Sequence, residues 1–201
     1  SQMVRPGDRR PAIADHAIAV LANGGARAPS HQAIDRAAGL ATGSTSYYFR
    51  TRHHLVVATI ARIREHSRAA FDESPQPATI TPRTAAMLMA DQLLLLAGPR
   101  RDDALAVFSL LPEVERDPEL RAQLAGCLFS RELAAELLVA LGRSDAEGAA
   151  LDLIDFLTGL LFGMLFGQRR TEDAGGTRIV DALQRFLTTE VDTAASASEI
   201  S

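Results

Sequence analysis

Lysine is absent from this 201-residue chain, aromatic residues make up only 5% of it, and it holds one cysteine. A lone cysteine excludes an internal disulfide, so nothing argues for an oxidising compartment. Cys127 sits in the apolar run LAGCLFS, which points to packing rather than to a reactive thiol. No apolar run reaches the roughly 20 residues that cross a bilayer. The most apolar stretch, FLTGLLFGMLFG at 156–167, is cut off by Asp152 and Asp155. The opening residues, SQMVRPGDRRP, lack the hydrophobic centre of a signal peptide. Together these absences point to a cytoplasmic protein with no membrane partner. Strand-like alternation and internal repeats are missing as well, which leaves the helix as the only periodic element.

What is present divides unevenly. Apolar residues are 47% of the chain, enough for a sizeable buried core. Residues 1–68 carry ten arginines against four acidic residues, a balance of +6, and all five histidines. Residues 69–201 carry eleven arginines against twenty-one acidic residues, a balance of -10. A small basic module ahead of a larger acidic one suggests that the front end meets a polyanion.

The periodicity predicts an all-α fold of about nine helices. Ile13, Ala17, Val20 and Leu21 form one apolar stripe, ended by NGG at 23–25. Ser30 is an N-cap for HQAIDRAA, and Gly39 stops that helix after two turns. A long helix follows over about 52–68, with Val56, Ile60 and Ile63 on one face. The proline-rich ESPQPATITP at 73–82 marks a module boundary. Beyond it, Thr81 and Pro82 open a helix that Gly98 and Pro99 end. Further helices are expected over 103–111, halted by Pro112, and 117–141, opened by Asp117 and Pro118. Ser144 and Glu147 predict a capping box for a helix reaching about residue 167. A last helix over 177–191 follows AGG at 174–176, and 193–201 reads as a disordered tail.

A two-turn helix, a glycine and a second short helix outline a helix-turn-helix over about 30–49. Ile34, Ala37 and Ala38 face inward, Gly39 supplies a positive φ, and Leu40 plugs the joint. The second helix is expected to begin near Thr42, and Thr42, Gly43, Ser44, Thr45 and Ser46 leave a surface smooth enough for a major groove. Their hydroxyls suit phosphates and base edges. Phe49 ties that helix to the core, Tyr47 and Tyr48 can aim phenols at phosphates, and Arg50 and Arg52 lie beside them. Ser30, His31 and Gln32 at the start of the first helix complete the candidate DNA-binding set, and Arg5, Arg9 and Arg10 form a basic arm.

The stretch AIDRAAGLATGSTSYYFRTRHHLVVATI resembles the DNA-binding signature of the tetracycline-repressor (TetR) family of bacterial transcriptional regulators. The match is close over 10–60 and architectural beyond. The resemblance implies a DNA-binding domain at 1–68, a ligand-binding and dimerisation domain at 69–192, and a homodimer on a palindromic operator. It places Tyr47 and Tyr48 at backbone-contacting positions, Arg52 at the basic position that meets a phosphate, and Ser44 at a recognition-helix threonine. Thr45 and Ser46 depart from a leucine-tyrosine pair, and Asp35 stands where alanine is usual. That acid must be exposed or paired, with a nearby arginine as the candidate partner.

Other constellations are thinner. GSTS lacks the GK[ST] ending and preceding strand of a phosphate loop. His53 and His54 point about 100° apart on a helix, no carboxylate stands at zinc spacing, and no metal site or cofactor is expected. No Ser/His/Asp or Cys/His arrangement is possible between the histidines and Cys127, so no catalytic residue is named and an enzyme is not expected.

Gly159, Gly163 and Gly167 recur every four residues beside Phe156, Leu160 and Met164, and these six form the expected dimer face. Met87, Gln92, Phe108, Phe129 and Phe156 are candidates to line a pocket for a small apolar effector, an expectation that comes mostly from the resemblance. Helical spacing does not separate a pocket from a filled core. Two other readings therefore stay open: a helical ligand-binding or scaffold protein with a vestigial DNA module, and a DNA-binding regulator with no small ligand.

Overall fold

A computed structural model describes residues 7–24, 30–171 and 176–199, and among them every regular element is helical. In chain order these are α1 (Arg10–Gly24), α2 (His31–Ala37), α3 (Ser44–Tyr48), α4 (Arg52–Glu73) and α5 (Pro82–Ala97). They are followed by α6 (Arg101–Val114), α7 (Pro118–Ala125), α8 (Arg131–Ala140), α9 (Ala146–Leu165) and α10 (Thr177–Glu199). A single 3-10 turn, Gln168–Thr171, follows α9. The all-α expectation holds. Arg5, Gly25 and two residues of AGG (174 and 175) lie outside the described residues.

The chain forms two compact units, 1–68 with 100–128, and 69–99 with 129–201. In the first, two apolar clusters are built on α1. Ile13 and Ala17 meet Ile34, Phe49 and Leu55, which closes the helix-turn-helix on its supports. Ile18 and Leu21 meet Val56, Ile60 and Ile63 of α4 together with Leu110 and Val114 of α6. Burying such side chains is worth about 1.5–3 kcal/mol each. That burial explains why 100–128 packs with the basic module, although its sequence places it among the acidic residues.

Three helix boundaries differ from expectation. Pro112 does not halt α6, because Leu110 and Val114 are both buried one turn apart and carry the helix past it. The single helix expected over 117–141 is broken into α7 and α8. Carbonyls at the end of α7 are taken by α4: Ser67 Oγ donates to the Cys127 carbonyl at 2.7 Å and Arg64 Nη2 to the Gln123 carbonyl at 3.2 Å. Ser130 then caps α8 by accepting from the Leu133 amide at 3.2 Å. The capping box at Ser144 does not form; α9 starts after Asp145, whose carboxylate is held by Arg143. Cys127 is buried as expected, and burial pushes its thiol up to about 12.

In the second unit, Thr81 and Thr84 form a reciprocal capping box at the start of α5. Ile179, Leu183 and Leu187 of α10 are buried, and α10 packs on α5. Helix α9 packs on α8 and α5, and its Ala149, Leu153 and Leu161 are buried. At 20 residues it meets the length and composition of a bilayer crossing, but its buried face marks it as a core helix. The stretch read as a disordered tail is instead helical as far as Glu199, as a continuation of α10.

Candidate nucleic-acid interface

A five-residue helix cannot stabilise itself, because too few turns follow the costly first one. Helix α3 is built from outside. Gly39 takes φ +65° to end α2, and Gly43 takes φ +92° to launch α3, conformations that glycine adopts without steric cost. The free amides so exposed point at Asp35 of α2. Its Oδ2 accepts from the Gly43 amide at 2.8 Å, and its Oδ1 accepts from the Thr45 amide at 2.8 Å and the Thr45 hydroxyl at 2.6 Å. Asp35 is thus the cap of a helix that starts nine residues later, and its partner is that helix rather than an arginine. Burial works to raise its pKa, but the Thr45 and Gly43 donors and the charge of His31 outweigh burial and hold the carboxyl below its usual range.

The same contacts sort the sequence candidates. Thr45, expected on the surface of the helix, is instead fully buried, and its amide and hydroxyl are both held by Asp35. Ser44 is half-buried, and its hydroxyl donates to the Ala41 carbonyl at 2.7 Å. Thr42, Gly43, Ser46 and Tyr47 remain exposed, Tyr47 by 78%. Phe49 enters the core as expected, and half-buried Tyr48 packs beside it. The Tyr48 ring meets Tyr47 edge-on at 5.2 Å, and the Arg10 guanidinium lies 5.5 Å from its centre.

Ser30 spends its side chain capping α2, by accepting from the Ala33 amide at 3.1 Å. His31 donates Nε2–H to the Phe49 carbonyl at 2.7 Å, which locks the entry of α2 to the exit of α3. Gln32, Arg36 and Arg50 are exposed. Arg52, first residue of α4, is gripped in parallel by Glu113, Nε to Oε1 at 2.6 Å and Nη2 to Oε2 at 2.8 Å. The contribution of Asp35 was not legible from composition, and Glu113 carried no sequence signal at all.

Known proteins fit this arrangement. A family model described as the tetracyclin repressor-like C-terminal domain matches residues 81–189, more than half of the chain. The chain belongs to the tetracycline-repressor family. No curated protein sequence matches it. Among solved structures, a transcriptional regulator from Rhodococcus is similar at 19% identity and a TM-score of 0.75, over 93% of this chain and 98% of that one. A TetR-family member from Streptomyces coelicolor is similar at 24% identity and a TM-score of 0.68, over 89% and 97%. The multidrug binding protein EbrR, complexed with ethidium, is similar at 26% identity and a TM-score of 0.64, over 89% and 98%.

In this TetR-family protein the effector candidates fall in both compact units. Phe108 belongs to the first compact unit, and the other four to the second. Met87 is exposed, and Gln92 donates Nε2–H to the Ser74 hydroxyl at 2.6 Å. Phe129 is half-buried, and Phe156 stacks on Phe186 with centroids 4.6 Å apart. The candidate dimer face is also only partly on the surface. Leu160 is buried, Met164 is half-buried, and Arg169 covers Gly163. Gly167 closes the end of α9 by donating to the Gly163 carbonyl at 3.1 Å. Gly159 alone of the three glycines faces open space, and the large apolar side chains exposed on this helix and at its C-cap are Leu151, Phe162 and Phe166.

Proposed function

We propose that this protein is a homodimeric transcriptional repressor that holds a palindromic operator through α2 and α3, and releases it when a small apolar molecule binds the domain at 69–192. The observation that carries the reading is the way Asp35 builds α3. A charged side chain is buried and launches a five-residue helix, and the turn and helix together present Thr42, Gly43, Ser46 and Tyr47 outward on a basic module. A small, polar helix start suits close approach to a major groove. The exposed Leu151, Phe162 and Phe166 support a twin subunit on α9, since exposed large apolar side chains on one helix favour a covering partner. EbrR, whose structure holds ethidium, supports a small-molecule effector for this chain.

Mechanistically, two recognition helices must sit about one DNA turn apart to read both half-sites. An effector that favours a different spacing weakens binding, and a coupling of about 1–3 kcal/mol changes affinity roughly five- to 150-fold. The test is fluorescence anisotropy with the duplex upstream of the protein's own gene, beside a scrambled duplex, across a salt series. Tight binding to the first duplex alone supports a sequence-specific regulator. No binding to either at low salt overturns the reading, and favours a helical ligand-binding protein with a vestigial DNA module.

A further inference from the structure

Arg52 is the first residue of α4, at the position where the family resemblance implies a phosphate contact. In the structure its fork is occupied. The Glu113 carboxylate meets Nε and Nη2 with two parallel hydrogen bonds of 2.6 and 2.8 Å. A backbone phosphate offers the same pair of anionic oxygens and would be gripped by the same two donors, so carboxylate and phosphate compete for one guanidinium. The next residue repeats the theme. His53 Nδ1 lies 3.9 Å from Asp117 Oδ2, while the other oxygen of Asp117 caps α7 through the Leu120 amide at 3.1 Å.

Two successive residues at the start of α4 therefore each face an acid from the α6–α7 corner. The corner is placed by burial: Val114 and Leu120 are both in the core of the same compact unit, so Glu113 is delivered to Arg52 by a rigid element. Glu113 owes its position to the turn of α6 that continues past Pro112. The Arg52 side chain is still 43% exposed and Glu113 23%, so the pair is open on one side to an incoming strand.

We propose that Glu113 is a built-in competitor for DNA, a carboxylate on α6 that occupies the Arg52 fork in the free protein and must yield it before a backbone phosphate is gripped. The inference rests on the DNA-binding reading above. It makes Glu113 a brake on affinity that acts on every sequence alike, because phosphates carry no sequence information. Net repulsion between Glu113 and the DNA backbone works in the same direction.

The experiment compares wild type, Glu113→Gln, Arg52→Gln and the double variant by anisotropy on an arbitrary duplex and on the upstream duplex, in a salt series, with thermal melts of each. Glu113→Gln is expected to bind both duplexes about fivefold tighter, the factor an exposed ion pair supplies. Its plot of log affinity against log salt is expected to steepen, because no freed Glu113 carboxylate takes up a cation when Arg52 turns to the phosphate. Most of that gain is expected to vanish in the Arg52→Gln background. A Glu113→Gln protein that melts lower but binds as wild type would make the pair purely structural and overturn the proposal. Weaker binding by Glu113→Gln would also overturn it, since Glu113 would then be orienting Arg52 for the phosphate. If wild type binds neither duplex at low salt, the DNA-binding reading fails and takes this proposal with it.

Discussion

Asp35 Oδ1 receives both the backbone amide and the hydroxyl of Thr45, two residues ten positions apart whose side chains are both buried. The pair fixes the start of α3 against α2, so its loss should appear as instability of the helix-turn-helix rather than as altered base preference. Asp35→Ala leaves two amides and a hydroxyl without their acceptor, at an expected cost of about 2–4 kcal/mol. Thr45→Val removes one donor and should cost about 1 kcal/mol. Urea denaturation reads both. Sequence preference, measured on the same duplexes, should change with Ser46 and stay as it is in Thr45→Ser. A shift of preference in Thr45→Ser would mean that Thr45 leaves its buried site on binding.

The acid side of the same contact has a defined sign. The folded pKa of Asp35 lies below its unfolded value near 3.8. Its contribution is therefore fully present above the unfolded value and is lost as the pH falls through the folded one. The stability difference between wild type and Asp35→Asn should hold constant at neutral pH and shrink only below about pH 4.

Gly43 begins α3 at φ +92°, and a Cβ placed there would meet nothing within 4 Å. Any penalty of substitution is thus conformational and not steric. Gly43→Ala should cost roughly 1–2 kcal/mol, and Gly43→Asn less, because asparagine visits left-handed backbone more readily. A denaturation midpoint for Gly43→Ala equal to that of wild type would rule out the left-handed start.

How much of this was readable beforehand depends on the range of the contact involved. Ser30 and Gly39 act within a few residues of themselves, and Phe49 and the α4 stripe follow from residue type and spacing, so the sequence suffices to place them. Asp35 acts across a loop, and a charged residue on an inward-facing position looks like an anomaly until its three donors are seen. Thr45 was placed on the outer face because five residues carry no periodicity from which inside and outside can be told. The break between α7 and α8 comes from Ser67 and Arg64, some sixty residues upstream, and no local signal announces it. Pro112 is a true helix breaker by intrinsic preference, but the burial of Val114 overrides it. On α9 the glycine repeat drew attention to Gly163 and Gly167, which serve their own chain, and away from Phe162 and Phe166.

His66 joins three helices of the first unit. Its Nδ1 lies 3.0 and 3.1 Å from the two oxygens of Asp103 on α6, and its Nε2 3.1 Å from Asp15 on α1. Both ring nitrogens face acceptors, so only the doubly protonated ring can donate to both. The Asp103 hydrogen bond raises the His66 pKa, burial opposes it, the Asp103 and Asp15 charges add to the rise, and Arg62 subtracts from it. Glu65 on α4 and Arg100 at the start of α6 complete the charged surroundings, through Arg62 and Asp103 respectively. A raised folded pKa contributes stability that is complete below the unfolded value near 6.5 and lost as the pH climbs through the folded one. Wild-type stability should therefore fall as the pH rises above about 6.5, and His66→Gln should flatten that fall. Parallel slopes for the two proteins in urea melts between pH 6 and 9 would show that the clasp is not the titrating element.

Phe162 is 54% exposed on α9, in line with Phe166, whose ring centre is 5.4 Å away, and with open Gly159 one turn earlier. If a twin subunit covers this face, a charge at Phe162 must be desolvated against apolar side chains, which costs about 2 kcal/mol or more at the centre of an interface. Phe162→Glu should shift the protein from dimer to monomer in sedimentation, while Val139→Glu, at an equally exposed position on α8, should leave assembly unchanged. Because one subunit reaches only one half-site, the monomeric variant should also lose the preference for the upstream duplex and retain weak, salt-sensitive binding to any sequence. A Phe162→Glu protein that remains dimeric and selective would move the dimer contact off this face of α9. If Phe162→Glu is monomeric but still selective, one helix-turn-helix reads enough sequence by itself, and the palindrome is not needed.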